Sequence, residues 1–192
     1  MYAIIGAGPM GLCTARQLKK HGIDFIGFEL HSDVGGLWDI DNPHSSMYHS
    51  AHLISSKGTT EFREFPMRAE VAPYPHHSEM RRYFRDYARQ FRLYEHYQFD
   101  TRVLQVQREQ DGWKLISERN GEQRKWRFDG VLIANGTLHT PNLPRLPGDF
   151  SGELLHSNAY KSADIFAGKR VLVVGCGNSA CDIAVDAVHR AA

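Results

Sequence analysis

Two glycine clusters hold the residues of this 192-residue sequence best suited to chemistry. The first, Gly6-Ala7-Gly8-Pro9-Met10-Gly11, directly follows the apolar run Tyr2 to Ile5. It has the spacing Gly-x-Gly-x-x-Gly between a β-type run and a helix-forming run, and Glu29 stands eighteen positions after Gly11. These are the parts of a dinucleotide-binding turn. Gly6 permits the tight turn, Gly8 lets the backbone approach a pyrophosphate, and Gly11 lets the helix pack close to the strand. The helix N-terminus offers unpaired N–H groups and partial positive charge to the anion. Glu29 can accept hydrogen bonds from ribose hydroxyls. The second cluster, Gly175-Cys176-Gly177-Asn178-Ser179-Ala180, repeats the pattern with Ala in the third place, a permitted variant. Two such turns in one chain point to electron or hydride traffic between two dinucleotides, with the chemistry carried largely by the cofactors. Gly35-Gly36-Leu37-Trp38 adds a stretch where backbone can pass close to a bulky ligand. Trp38 is suited to wall a flat ring there.

Other reactive side chains fit bland roles. Cys176 and Cys181 form a Cys-x4-Cys pair, a spacing that disulfide reductases of related fold also use. Cys176 lies inside the second turn and Cys181 on the helix after it, so both read as small packing residues, as does Cys13. Eleven histidines invite a metal, with His44, His49 and His52 close in sequence and His76-His77 adjacent. Adjacent side chains on extended backbone point in opposite directions, and no His-Glu-x-x-His or Cys-x-x-Cys framework is present, so no metal is expected. Arg81, Arg82, Arg85 and Arg89 read as a solvated helix face rather than a site for an acidic partner.

The elements that must position these residues follow from local pattern. Tyr2 to Ile5, a helix from Leu12 to His21 stopped by Gly22, and Asp24 to Glu29 make a βαβ-type opening. Residues 31–76 are irregular, and a stretch that long is usually functional or folded around something. A helix capped by Ser78 and running to about Tyr94 is predicted, because Met80, Tyr83, Phe84, Tyr87, Ala88 and Phe91 share one stripe. Residues 97–128 read as a β-meander, with hairpin signals at Asp111-Gly112 and Asn120-Gly121. Val131 to Ala134 is a further buried strand. A connector punctuated by Pro141, Pro144 and Pro147 leads to a strand at Arg170 to Val174 and a final helix.

Composition bounds the answer. The net charge of +1 gives no electrostatic footprint for nucleic acid, and no apolar run is long enough to cross a bilayer. The start lacks the features of a secretory leader, and three sparse cysteines suit a reducing, cytoplasmic location.

With both turns placed, Phe150-x-Gly152-x-x-x-His156-x-x-x-Tyr160 resembles the identifying sequence of the flavin-containing monooxygenases. Related Baeyer–Villiger monooxygenases usually end that motif in Trp, so Tyr160 favours the first group. The resemblance spans essentially the whole chain, through Glu29, the Gly35 to Trp38 turn, Phe65-Pro66, Ala134-Asn135-Gly136 and the second turn. It implies an α/β fold with two dinucleotide-binding, Rossmann-like (doubly wound) domains and a β-meander, the second domain truncated at Ala192. Residues 1–140 would form the FAD domain, 141–168 a linker carrying the motif, and 169–192 the start of an NADP domain. The chain would then be the front portion of a longer enzyme, binding FAD weakly and turning over no substrate by itself.

The resemblance also implies the ligands. Gly6, Gly8, Pro9, Met10, Gly11, Glu29, Gly36, Leu37, Trp38 and Ala134 would contact FAD, with Val103 near the adenine. Gly175, Gly177, Asn178 and Ser179 would meet the NADPH pyrophosphate. In that family NADPH reduces FAD, O2 forms a flavin C4a-hydroperoxide, and one oxygen passes to a soft nitrogen or sulfur nucleophile of a small molecule. The retained NADP⁺ shields the intermediate, so the protein supplies no acid–base dyad and no catalytic residue is assigned. A homodimer is compatible with this reading. One departure stands out. Many members carry Thr-Asn ahead of a Lys, the Asn beside the flavin, whereas this chain has Leu53-Ile54 ahead of Lys57. Ser55, Ser56 or His52 would have to substitute, or the chain is an FAD/NAD(P)H oxidoreductase or nucleotide-binding module that does not oxygenate.

Overall fold

A computed structural model describes residues 1–192. The opening follows local sequence: β1 (Tyr2–Ile5), α1 (Pro9–Lys20) and β2 (Phe25–Phe28). Pro9 starts α1 where its missing N–H costs nothing, and Lys19 and Lys20 lie at the negative end of the helix. β1 pairs parallel with β2 on one side (Ala3 opposite Ile26) and with β7 (Gly130–Ile133) on the other (Ala3 opposite Val131). A two-residue strand, β3 (Tyr97–Gln98), adds to β2, giving the order β3-β2-β1-β7. The meander thus begins later than expected. Tyr97 and Gln98 belong to the parallel sheet, and β4 (Arg102–Glu109), β5 (Gly112–Arg119) and β6 (Glu122–Phe128) form a separate antiparallel sheet.

The two hairpins solve their turns differently. Asn120 (φ 52°) and Gly121 (φ 81°) both take positive φ, as the two-residue I′ turn requires. In the other, Glu109 pairs with Gly112, so Gln110 and Asp111 form the loop, and only Gly112 has positive φ (120°). The glycine is thus the first residue of β5, paired with Glu109, and the one register shift of this hairpin lies farther along β4, between Val103 and Gln105.

Helix α3 (His77–Gln90) carries the expected stripe, with Met80, Tyr83, Phe84, Tyr87 and Ala88 buried. These residues join Ile4, Leu12 and Leu53 in the main core, over which Trp38, Phe62 and Phe65 pack. The cap is His76 rather than Ser78, its ring accepting from Ser78 N at 3.3 Å, so the helix begins two residues earlier than expected, and it ends at Gln90 rather than near Tyr94. A smaller core of Ala3, Phe28, Leu115 and Phe128 ties the two sheets together.

The irregular 31–76 stretch contains a single-turn 3₁₀ segment (Gly36–Trp38) and the one-turn α2 (Lys57–Thr60). Polar side chains organise the rest. The Lys57 ammonium donates to the carbonyls of Arg68, Ala69 and Val71. Asp39, 1% exposed, accepts from Arg81 at 3.1 Å and Arg85 at 2.9 Å. The arginine face of α3 is therefore divided. Arg82 and Arg89 are solvated, whereas Arg81 and Arg85 turn inward to neutralise a carboxylate that burial would otherwise leave uncompensated.

The final helix, α4 (Asn178–Val188), forms as expected, but Arg170 to Val174 is not a strand. A β-strand exists through pairing with a neighbour. No strand of this chain lies beside the run, and Leu172 and Val174 stand 85% and 69% exposed. No helix is long and apolar enough to cross a membrane.

Candidate functional site: two glycine turns opening two helices

The first turn lies between β1 and α1 at the centre of the parallel sheet. Gly6 has φ 103°, and a Cβ there would overlap the Ala134 carbonyl oxygen just after β7. A side chain on Gly11 would overlap the Gly6 carbonyl oxygen, so close approach of helix to turn depends on that glycine. Gly8, the cap of α1, faces the second glycine pair. A Cβ built on Gly36 would sit 3.0 Å from Gly8 Cα, and the Gly35 N–H donates to the Ala7 carbonyl at 3.0 Å. Gly35 and Gly36 both have positive φ (120° and 57°). Two stretches of backbone thus meet without side chains, leaving a cradle that Cβ atoms would fill.

The electrostatics suit an anion. α1 and α4 both have a glycine cap, no side-chain cap and no acidic residue in the first turn. Their positive ends meet no countercharge from their own first turns. These features fit a dinucleotide pyrophosphate at each helix. Pro9 is half-buried, and Met10 stands 68% exposed at the mouth of the cradle.

Glu29 is placed where the sequence expects it, just past β2, and it is 7% exposed. Its carboxylate accepts from Ala7 N at 2.6 Å and His31 N at 2.8 Å. Each oxygen has one further acceptor site, the capacity a ribose hydroxyl would use. The carboxylate also fixes the turn, a role that motif reading alone does not reveal.

The Gly36–Trp38 segment is held from below. Ser45 Oγ donates to the Leu37 carbonyl, Asn42 Nδ2 to the Gly36 carbonyl at 3.4 Å, and Asp39 N to the Gly36 carbonyl at 3.2 Å. Burial works against ionisation of Asp39, but the hydrogen bond from Arg81 and the charge of Arg85 outweigh it and hold the carboxyl below the ordinary range. Leu37 and Trp38 are half-buried, and Trp38 packs over the main core. Val103 lies in the packing between the sheets, beside Ala3, Phe28, Leu115 and Phe128. Ala134 packs against the main core immediately behind Gly6.

The second turn is exposed at Gly175, Cys176, Gly177 and Asn178 and half-buried at Ser179. Gly175 has φ 144°, and Gly177 has open space around its Cα. Cys176 and Cys181 are free and exposed, and Cys13 is free, so no disulfide forms. His49, His52, His76 and His77 gather more closely than the sequence suggests, with ring centroids of 76 and 77 4.2 Å apart. The antiparallel bridge between His52 and His76 brings them together. They do not form a ligand set for a metal ion.

In the linker motif, His156 accepts from Asn158 N at 3.1 Å and caps a short turn, a structural role. Phe150 is 72% exposed, whereas Tyr160 is buried and stacks on Phe166 with centroids 5.5 Å apart. Ile54, at the position of the departure, is 71% exposed beside buried Leu53. Ser55 Oγ and Ser56 Oγ are engaged with Thr60 and Thr59, and His52 Nδ1 with the Ser50 carbonyl.

The parallel sheet, its glycine turn and Glu29 define a Rossmann-type dinucleotide-binding protein, with a second turn of the same type at α4. Over residues 1–192 the chain matches the FMO-like family, flavin-binding monooxygenase-like, and it belongs to that family. It is 38% identical to flavin-containing monooxygenase 3 of Oryctolagus cuniculus, the match covering 98% of this chain and 38% of that protein. Among solved structures, S-allyl-L-cysteine S-oxygenase from Allium sativum superposes with a TM-score of 0.91 at 28% identity, over 99% of this chain and 49% of the other. OTEMO, in its complex with FAD and NADP, superposes with a TM-score of 0.76 at 28% identity, over 99% and 37%. The chain thus spans between about a third and a half of the length of these relatives.

Proposed function

We propose that this chain supplies the FAD site and the opening of the NADPH site of a monooxygenase that transfers one oxygen atom of O2 to a soft nitrogen or sulfur nucleophile of a small molecule. The observation that carries the reading is the pair of glycine turns at helix N-termini without a side-chain cap, the first backed by Glu29 and the Gly35-Gly36 cradle. Gly6, Gly8, Pro9, Met10 and Gly11 would hold the FAD pyrophosphate and Glu29 its ribose, with Gly36, Leu37 and Trp38 beside the cofactor. Ala134 would back the turn, and Val103 would lie toward the adenine. Gly175, Gly177, Asn178 and Ser179 would hold NADPH. Bound flavin supplies the redox and oxygen chemistry, and the chain's residues bind, orient and exclude water. Residues 1–140 would act as the FAD unit, 141–168 as the linker and 169–192 as the NADP-binding opening, in the cytoplasm. The free state of all three cysteines supports that location.

The test is NADPH oxidation by the full-length enzyme to which this chain would contribute, with oxygen uptake and peroxide measured together against a panel of amines and sulfides. Uptake coupled to substrate, without peroxide, is expected. A second reading is favoured by Ile54, an exposed apolar side chain where an amide is expected, with both neighbouring serines already engaged. In that reading the protein oxidises NADPH and releases peroxide stoichiometrically whatever substrate is added.

A further inference from the structure

Helix α4 carries Asp182 and Asp186 one turn apart, a spacing at which like charges repel. Neither is in an ion pair, and the nearby cations Lys169 and Arg190 pair with Glu153 and Asp164 instead. Three neutral hydroxyls hold the two carboxylates. Tyr48 Oη donates to Asp182 at 2.5 Å, Tyr160 Oη to Asp186 at 2.7 Å, and Ser50 Oγ to the same oxygen of Asp186. Hydrogen bonds to an ionised acceptor are about twice as strong as neutral ones. Both tyrosines are buried, and burial together with Asp182 pushes the Tyr48 phenol up to about 12, so it stays a donor.

Beneath these bonds, Ile183 and Ala187 are the buried residues of α4, and Ile183 packs with Tyr48, Ala51 and Tyr160. The outer side of the helix, Val185 and Val188, is 62% and 79% exposed, and the run before it is unpaired. The opposing segment is itself anchored. Lys161 Nζ donates to the carbonyls of Ser45 and Met47 at 2.6 and 2.9 Å, and His76 Nε2 meets the His49 carbonyl at 2.6 Å.

We infer that Asp182 and Asp186 are positioning residues. They latch α4, and with it the second glycine turn, onto residues 45–51 of the first nucleotide-binding unit, and so set how the nicotinamide is presented to the flavin. The inference rests on the NADPH and FAD assignment above. The reaction it governs moves a hydride, two electrons and a proton, from NADPH to the flavin, leaving NADP⁺ and reduced flavin. Tyr160, the last residue of the linker motif, gains a role as one of the donors.

The test compares wild type with D182L/D186L and D182N/D186N, all made in the full-length enzyme, in two measurements. In anaerobic stopped-flow reduction by NADPH, the leucine pair is expected to lower the limiting rate of flavin reduction about 10- to 100-fold, the scale of an ångström-level misplacement. FAD content is expected to be unchanged and NADPH affinity to change less than about threefold, since Gly175 to Ser179 remain intact. The asparagine pair, which keeps an acceptor oxygen at each site, recovers most of the rate. In hydrogen–deuterium exchange, amides of residues 178–188 exchange at least about tenfold faster in the leucine pair than in wild type. A wild-type rate in the leucine pair overturns the latch, as does a parallel loss of rate and NADPH affinity. If NADPH does not reduce even the wild-type flavin, the functional assignment fails. The exchange measurement then decides the latch by itself, and unchanged exchange overturns it.

Discussion

Replacing Asp39 by Asn should cost about 2–3 kcal/mol of folding stability. The substitution keeps the volume of a side chain that is 1% exposed but removes the charge facing Arg81, Arg85 and, at 3.6 Å, His31. Breaking a fully buried pair by removing one partner costs about 3–5 kcal/mol, and an exposed pair is worth less than about 1. The case here is intermediate, because the arginines are 27% and 25% exposed and keep second partners. Arg81 pairs with Asp41 at 2.6 Å, and Arg85 with Asp33 at 2.9 Å. In either orientation the asparagine NH2 points at a guanidinium, and in one of them it also gives up the bond from Asp41 N. In urea unfolding, with a slope of about 2 kcal/mol per molar, the midpoint should fall by about 1 M without a change in slope. FAD affinity should fall with it, because Asp39 anchors the end of the Gly36–Trp38 segment. A midpoint within about 0.3 M of wild type would refute the view that this carboxylate organises the 31–76 stretch.

Gly11→Ala, made in the full-length enzyme, places a methyl group on the Gly6 carbonyl and should abolish stoichiometric FAD binding, read as the flavin absorbance of purified protein; full occupancy would show that the turn can relax. Asn120→Ala, at φ 52°, should destabilise by about 1–2 kcal/mol in the same urea assay and leave FAD binding unchanged. Acidification should weaken the fold between pH 6.5 and about 4 through His77. Burial, then the charges of His76, His49, Arg81 and His52, pull its folded pKa from 6.5 to about 4. In that window the unfolded chain binds a proton that the folded chain does not, so stability is full above 6.5 and declines as pH falls. The interval corresponds to at most about 3 kcal/mol, and hydration around the histidine cluster reduces it to about 1–2 kcal/mol. His77→Leu should flatten the urea midpoint between pH 7 and 5, and an equally steep decline in that variant would exclude His77 as the source.

What the sequence revealed was whatever is encoded over a short span. The β1-α1-β2 opening, its glycines and Glu29 lie within thirty residues, and each has a local physical reason. The α3 stripe and the Asn120-Gly121 turn are legible for the same reason. Pairings distant in sequence were not. Nothing near Asp39 announces Arg81 and Arg85 some forty residues on, and an arginine facing solvent looks the same in sequence as one turned inward. Tyr97 and Gln98 read as the start of the meander because strand propensity does not say which sheet a strand joins. The hydroxyl donors of Asp182 and Asp186 lie as far back as Tyr48, and no motif links them. The 170–174 run erred the other way, since an apolar β-type run needs a neighbouring strand that this chain does not place beside it.

The register of the parallel sheet orders events in time. β1 is synthesised before both of its partners, one of them is β7, and the oxygen that closes the space behind Gly6 belongs to Ala134. β2 can dock early, because the chain between it and β1 is a single helix. The floor of the nucleotide cradle must wait until α3 and all three meander strands have left the ribosome. Loop closure over that distance is slow, and β1 spends the interval with one edge unsatisfied. In the nascent chain the space behind Gly6 therefore closes late, when β7 pairs with β1.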